Sequence, residues 1–329
     1  MHFTLLVAGA LLPGKLADAL SASLETPKLI ARLRRAQSAE ENIGNARRDG
    51  NAHLDWLARE LFSQPSPAAT APYAYAQLNG AGSPQNVWHA EPVHVEVARD
   101  QLIVQSLVVA PSATESAQLL DLANAMASAA GCAFVRVGGR WFLTTDNEWG
   151  IDTSPLSAVV GTPVSMPTGQ DAPTWNRLHN EIQIAWHADP VNRTRDENGM
   201  QTINALWLHG GGRWQPLAPI RYLHVNSDAP ELLGAASAAG ARGVPFDDSL
   251  SDRALLVFDE PLLAARTEDW TAWLQAMMTI DQRLARHASD AIDLVLTGNS
   301  VRTFQSRHFD RFQPWRRRTL TEALTEWPC

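Results

Sequence analysis

Residues Trp175 to Trp214 read WNRLHNEIQIAWHADPVNRTRDENGMQTINALWLHGGGRW, a run of helix, turn, short helix, strand and glycines that sets the pattern for the rest of the chain. Trp175, Leu178, Ile182, Ala185 and Trp186 recur at helical spacing behind Asp171 and Pro173, a cap and a first-turn proline, so the spacing predicts a helix to about His187. Asp189-Pro190 ends it, because the residue before a proline is pushed out of the helical region. Arg193 to Asn198 then reads as a second, short helix closed by Gly199. Thr202 to Leu208 has strand length and runs into His209-Gly210-Gly211-Gly212, a strand end that opens on a glycine loop whose backbone N–H groups can meet an anion.

Three groups in this stretch suit a phosphorylated ligand: the Asn192 amide, the Arg195 guanidinium fork and the Gly210–Gly212 backbone. The same residues have a plainer reading, in which Asn192 caps the short helix, Arg195 pairs with a nearby acid and the glycines make a turn.

Outward from this stretch, strands and helices alternate. Before it, Phe3 to Ala8 reads as a fully buried strand, Leu24 to Arg35 and His53 to Phe62 as helices, and residues 63 to 85, rich in Pro, Ala, Gly and Ser, as a long connection. Two hairpins follow, Val93 to Val97 with Leu102 to Val108, and Ala133 to Val137 with Arg140 to Thr144 across Gly138-Gly139. Between them lies a helix from Ser112 or Thr114 to about Ala129. After the central stretch come strands at Ile220 to Val225, Ala254 to Phe258 and Ala291 to Leu296, and helices at Pro230 to Ala239 and from Trp270 to Leu284. This order predicts an α/β core, a mainly parallel sheet flanked by helices formed by 1–85 and 166–329, interrupted by a smaller inserted α+β domain over 86–165.

At 329 residues the chain is long enough for a large core. Its 45% hydrophobic and 19% charged content is globular, with 12 tryptophans in surplus. A net charge of -8 speaks against general nucleic-acid affinity. Cys132 and Cys329 support neither a disulfide framework nor a cysteine zinc site and fit a reducing compartment. The opening MHFTLLVAGALLPGK lacks the positive n-region of a secretory signal, and no run approaches the ~20 apolar residues of a membrane span, so a cytoplasmic protein with no membrane association is expected.

His187 with Pro190-Val191-Asn192 and Arg195, then Asn204, Leu206-Trp207 and Gly210 to Gly212, resemble the archaeal-type cofactor-independent phosphoglycerate mutases: a His-Pro-Val-Asn motif, a spaced arginine, and an asparagine before a glycine loop. Here Ala188-Asp189 separates the histidine from Pro190. Ala90-Glu91-Pro92-Val93-His94 with Arg99-Asp100 resembles the hallmark of the RpfE-type bacterial regulatory proteins, which are similar to those mutases. The resemblance implies an alkaline-phosphatase-like core and a ligand site drawn from Asn192, Arg195, Asn204, His209, Gly210, Gly211 and Gly212. The mutases activate a serine with two metal ions held at strand ends. At the matching places this chain carries Val7-Ala8-Gly9 where the family has Asp-Gly, Phe258-Asp259-Glu260-Pro261 without the family's following histidine, and Leu296-Thr297-Gly298-Asn299 where the family has Asp-His, although Asp259 and Glu260 remain able to hold one ion or to cap the next helix.

No metalloprotease, Walker or nucleophile-elbow motif occurs, and the ten histidines are dispersed, each read as a surface or core residue and not a ligand. Arg302 to Arg318 interleaves arginines with Phe304, Phe309, Phe312 and Trp315, which reads as an aromatic tail pinned to the core with arginines outside, and only secondarily as a nucleic-acid surface. The expectation is therefore a regulatory pseudoenzyme, with no catalytic residue, metal or cofactor, that binds a phosphorylated small molecule or a regulatory partner protein. An active mutase or phosphotransferase is the first alternative, and a nucleic-acid-binding regulator acting through the tail the second.

Overall fold

The computed structural model describes residues 1–41, 51–82, 85–98, 101–105, 109–161, 163–246, 251–286, 291–307 and 318–326. They divide into two compact units, Met1–Ser66 with Leu217–Cys329, and Pro67–Pro216.

The first unit is built on β1 (His2–Val7), whose apolar run is buried from Phe3 onward because parallel partners lie on both sides. Its other strands are β2 (Gln37–Glu41), β10 (His224–Asn226), β11 (Arg242–Val244), β12 (Ala254–Phe258), β13 (Ala291–Thr297) and β14 (Val301–Ser306), in the order β11-β10-β12-β1-β13-β14-β2. The pairings are parallel from β11 to β13 and antiparallel on both sides of β14. Around the sheet lie α1 (Gly14–Ser21), α2 (Pro27–Arg35), α3 (Ala52–Leu57) continuing into a wide π turn (Ala58–Phe62), α9 (Pro230–Ala238), α10 (Glu260–Arg266), α11 (Trp270–Arg286) and α12 (Leu320–Leu324). Phe3, Leu5 and Val7 alternate onto one face and meet Leu29 and Leu33 of α2, Leu324 of α12 and the Trp273, Met277, Ile280 and Leu284 stripe of α11. The buried Asp281 carboxylate of α11 accepts the Leu29 N–H at 2.7 Å, which fixes the first turn of α2. The mainly parallel α/β sheet flanked by helices is the architecture expected from the sequence.

The second unit holds α4 (Ala71–Asn79), β3 (Asn86–Val93), β4 (Val95–Ala98), β5 (Gln101–Val104), α5 (Ala113–Ala127), β6 (Cys132–Val137), β7 (Arg140–Thr145), α6 (Leu156–Val159), β8 (Pro163–Val164), α7 (Ala172–Ala188), α8 (Pro190–Glu197) and β9 (Ala205–Arg213). Its main sheet, β6-β7-β3-β9, is antiparallel throughout, and β4-β5-β8 form a second, smaller sheet. Trp88, Ala90, Trp141, Leu143, Leu206 and Leu208 share one sheet face and pack with Leu119 and Ala123 of α5 and Trp175, Ile182 and Trp186 of α7. On the other face Val87 and Phe142 meet Ala71 and Ala74 of α4. The turn between β6 and β7 has positive φ at both Gly138 and Gly139, as a two-residue hairpin requires.

The second unit is wider than the 86–165 span expected for the insert. It takes in α4 ahead of that span and α7, α8 and β9 behind it, because β9 pairs with β3 and α7 packs on α5. Residues 71–79, read as connection, are helical: α4 is short and alanine-rich with Pro72 in its first turn, and it is held by burial of Ala71, Tyr73 and Ala74 and not by an amphipathic stripe. The first expected hairpin is realised as β4 and β5, with Arg99, Asp100 and the end of its second strand at 106–108 outside the described residues. Of the C-terminal aromatics, Phe304 is fully buried, whereas Phe309, Phe312 and Trp315 lie outside the described residues. No described helix is long and apolar enough to cross a membrane.

Candidate functional site

The residues expected to form an anion pocket are engaged with the chain itself. Asn192, 4% exposed, donates from Nδ2 to the carbonyls of Trp186 and Ile203 at 2.9 and 2.8 Å and accepts the Ile203 N–H at 2.7 Å, so its amide joins the end of α7 to the approach to β9. The cap of α8 is Asp189, whose carboxylate accepts the Val191 N–H. Arg195, 7% exposed, gives Nε to the Gln201 carbonyl at 2.7 Å and Nη1 to Glu115 at 3.0 Å. Burial opposes ionisation of Glu115, but hydrogen bonds from Ser112, whose N–H and hydroxyl complete the capping box of α5, and the Arg195 charge hold its carboxyl below the usual range. Asn204 clamps the Val95 backbone through both ends of its amide. The plain reading of Arg195 is the observed one, and its guanidinium is directed to Glu115 and not to the glycines.

The glycines are not an open loop at a strand end. β9 runs on through them to Arg213, with a bulge. His209 pairs with His89 and Gly212 with Val87, which leaves Gly210 and Gly211 opposite Trp88 alone. Gly210 has φ +61°, the left-handed value such a bulge requires, and a Cβ there would clash with the Thr70 hydroxyl. A Cβ on Gly211 would enter the Trp88 indole, and one on Gly212 would stand 2.7 Å from the Ala69 methyl. Close packing from both sides accounts for three successive glycines.

The bulge borders a side-chain cluster. His89 and Glu91 are two apart on β3 and therefore share a face, and His209 stands opposite His89 on β9. One potential ligand atom from each of His89, Glu91 and His209 lies within 4.8 Å of the other two. The imidazoles stack at 4.7 Å between centroids, with Phe142 5.5 Å from the His89 ring. His89 is 2% exposed and its Nδ1 has no hydrogen-bond partner. Burial, and after it the Arg140 charge, pushes its pKa down to about 3, so the imidazole is neutral. Among the described residues this is the group of His, Cys, Asp and Glu close enough to hold a metal ion. The sequence shows His89 and Glu91 two apart, but His209 joins them only through strand pairing. A separate cavity of about 390 Å³ in the same unit is lined by Asn86, Trp88, Glu148, Trp149 and Asp152 together with Gly211.

In the first unit, β1, β12 and β13 end side by side at the carboxyl edge of the parallel strands, the edge where such folds usually place a ligand. The chain fills it. The Gly9 Cα packs against the backbone at Pro261–Leu262, and the Gly9 carbonyl accepts the Trp273 indole N–H at 2.8 Å. Leu11 N–H bonds the Thr297 carbonyl at 3.1 Å, and Glu326 binds both the backbone N–H and the side-chain amide of Asn299. Asp259 and Glu260 occupy the cap and first position of α10. Desolvation at the strand end, then the neighbouring carboxylates, raise both: Glu231 and Asp228 act on Asp259, and Asp259 and Asp228 on Glu260.

The chain matches no family model and no curated protein. Among solved structures, the one titled structure of PH0037 protein from Pyrococcus horikoshii superposes with a TM-score of 0.60 at 12% identity, over 98% of this chain and 91% of that chain. The cofactor-independent phosphoglycerate mutase from Thermoplasma acidophilum DSM 1728 gives a TM-score of 0.46 at 13% identity, over 98% and 94%. The first is a likeness of fold alone.

Proposed function

We propose that this chain is a non-catalytic regulatory protein that acts by binding. The observation that carries the reading is the filled carboxyl edge of the sheet: the ends of β1 and β13 are occupied by the backbone at Pro261–Leu262, by Trp273 and by Glu326, leaving a cluster of acids at β12 with no histidine ligand described beside it. Phosphoryl transfer needs cationic or metal stabilisation of a highly charged group, and among the described residues these acids do not converge closely enough, three together, to hold an ion. Nor do the described arginines of the tail favour a nucleic-acid role. Arg302 donates to the carbonyls of Glu322, Ala323 and Thr325, and Arg318 to those of Leu33 and Ala36.

Binding is assigned to the Pro67–Pro216 unit. With Arg195 held by Glu115, and with Glu148 and Asp152 but no lysine or arginine lining its cavity, this unit favours a neutral or cationic ligand over the phosphorylated one expected from the sequence. The test is a phosphoglycerate mutase assay with added manganese, run beside calorimetric titration with phosphoglycerates and inorganic sulfate. No turnover, and no phosphoglycerate binding tighter than sulfate, are expected. Manganese-dependent turnover that disappears in Asp259→Ala would overturn the reading.

A further inference from the structure

We infer that His89, Glu91 and His209 form a binding site for a divalent transition-metal ion of the zinc class, with one coordination position left open. The inference does not rest on the regulatory reading above. Two imidazole nitrogens and a carboxylate oxygen are the donor set such an ion takes when three protein groups hold it and a fourth position stays free. Bonds of about 2.1 Å at tetrahedral angles put ligand atoms roughly 3.4 Å apart. The three candidate atoms already lie within 4.8 Å of one another, so closure requires side-chain rotation and no movement of the strands.

Three features separate this cluster from a chance gathering of polar groups. The two strands that carry it are paired in register, with His89 directly opposite His209 and Glu91 next on the same face, so the backbone fixes the spacing. The bulge at Gly210–Gly211 lies immediately beside His209, and Gly210 brings the backbone close to the His89 ring, where a Cβ would stand 3.2 Å from Cδ2. His89 is buried and its Nδ1 lacks any hydrogen-bond partner, so the ring carries an unmet polar atom within the cluster. Glu91 and His209 are only partly buried, which leaves the ion a route in.

The test uses the untagged full-length chain, stripped with chelator and titrated with zinc by calorimetry and with cobalt(II) by visible absorption. One saturable equivalent is expected, with the intense ligand-field bands of a four- or five-coordinate cobalt ion. His209→Gln and Glu91→Gln should each weaken binding by roughly a hundredfold or more, beyond the loss caused by removing an outer partner of a ligand. If His209→Gln does not fold, as judged by circular dichroism, Glu91→Gln decides alone. Absence of a saturable equivalent in the unmodified chain, or an affinity and spectrum unchanged in the folded variants, would overturn the assignment and leave a carboxylate–imidazole contact without a metal.

Discussion

Arg195, His89 and His179 show how a side chain's surroundings decide its role. The guanidinium of Arg195, paired with Glu115 at 3.0 Å and with only 8% of the side chain exposed, ties α8 to the capping box of α5. Its removal leaves a partly buried carboxylate and the Gln201 carbonyl without their partner. Arg195→Ala should therefore cost about 3 kcal/mol of stability, read as a lower urea midpoint with unchanged slope, and an unaltered midpoint would contradict a structural role. His89 and His179 carry a pH dependence. Burial takes His179 down to about 4, and burial with the Arg140 charge takes His89 to about 3, whereas both protonate near pH 6.5 when unfolded. Below that pH the unfolded chain binds more protons than the folded one. The stability contributed by the neutral imidazoles is thus complete above about pH 6.5 and is lost as the pH falls toward the folded values, by on the order of 1 kcal/mol per pH unit for each histidine. Urea titrations in chelator at descending pH measure it, and a flat stability from about pH 7 to pH 5 would show that these rings are not buried neutral.

At the scale of the element, β9 carries the most consequence. Its three glycines admit the Trp88 indole on one side and Ala69 and Thr70 on the other while the bulge brings His209 beside His89. A methyl on Gly211 enters the indole itself, so Gly211→Ala must displace Trp88 from the core it shares with Trp141 and Trp186. The expected loss is about 1 to 3 kcal/mol, with a changed tryptophan fluorescence spectrum as the local sign. An anion-binding loop would tolerate the same methyl with little change in either measurement. The sequence places these glycines in an open loop, and the structure places them within a bulged strand, because a run of glycines after an apolar segment looks the same whether it ends a strand or kinks one. Only the partner strand, with one residue facing two, separates the cases.

At the scale of the molecule, the Pro67–Pro216 unit has its own core of α5, α7 and the four-stranded sheet, and its chain is continuous. Residues 67–216 expressed alone should fold cooperatively, whereas 86–165 should not, because it lacks β9 and the tryptophans of α7. Thermal unfolding followed by circular dichroism distinguishes them, and a sharp transition in the shorter piece would refute the wider boundary. The sequence by itself determined the elements whose signals are local. The buried apolar run of β1, the α11 stripe from Trp270 to Leu284, the Gly138-Gly139 hairpin and the capped helix after Ser112 all follow from periodicity and from φ preferences within a few residues. Their alternation was enough for a mainly parallel α/β core with an α+β insert. What the tertiary structure alone decided depends on pairs distant in sequence: β9 against β3, which sets the edge of the second unit and gathers His89, Glu91 and His209, and Glu115 against Arg195, which turns an expected ligand contact into a structural one. A side chain's chemistry is written in the sequence, but its partner is chosen by strand register and helix packing, which no local pattern encodes.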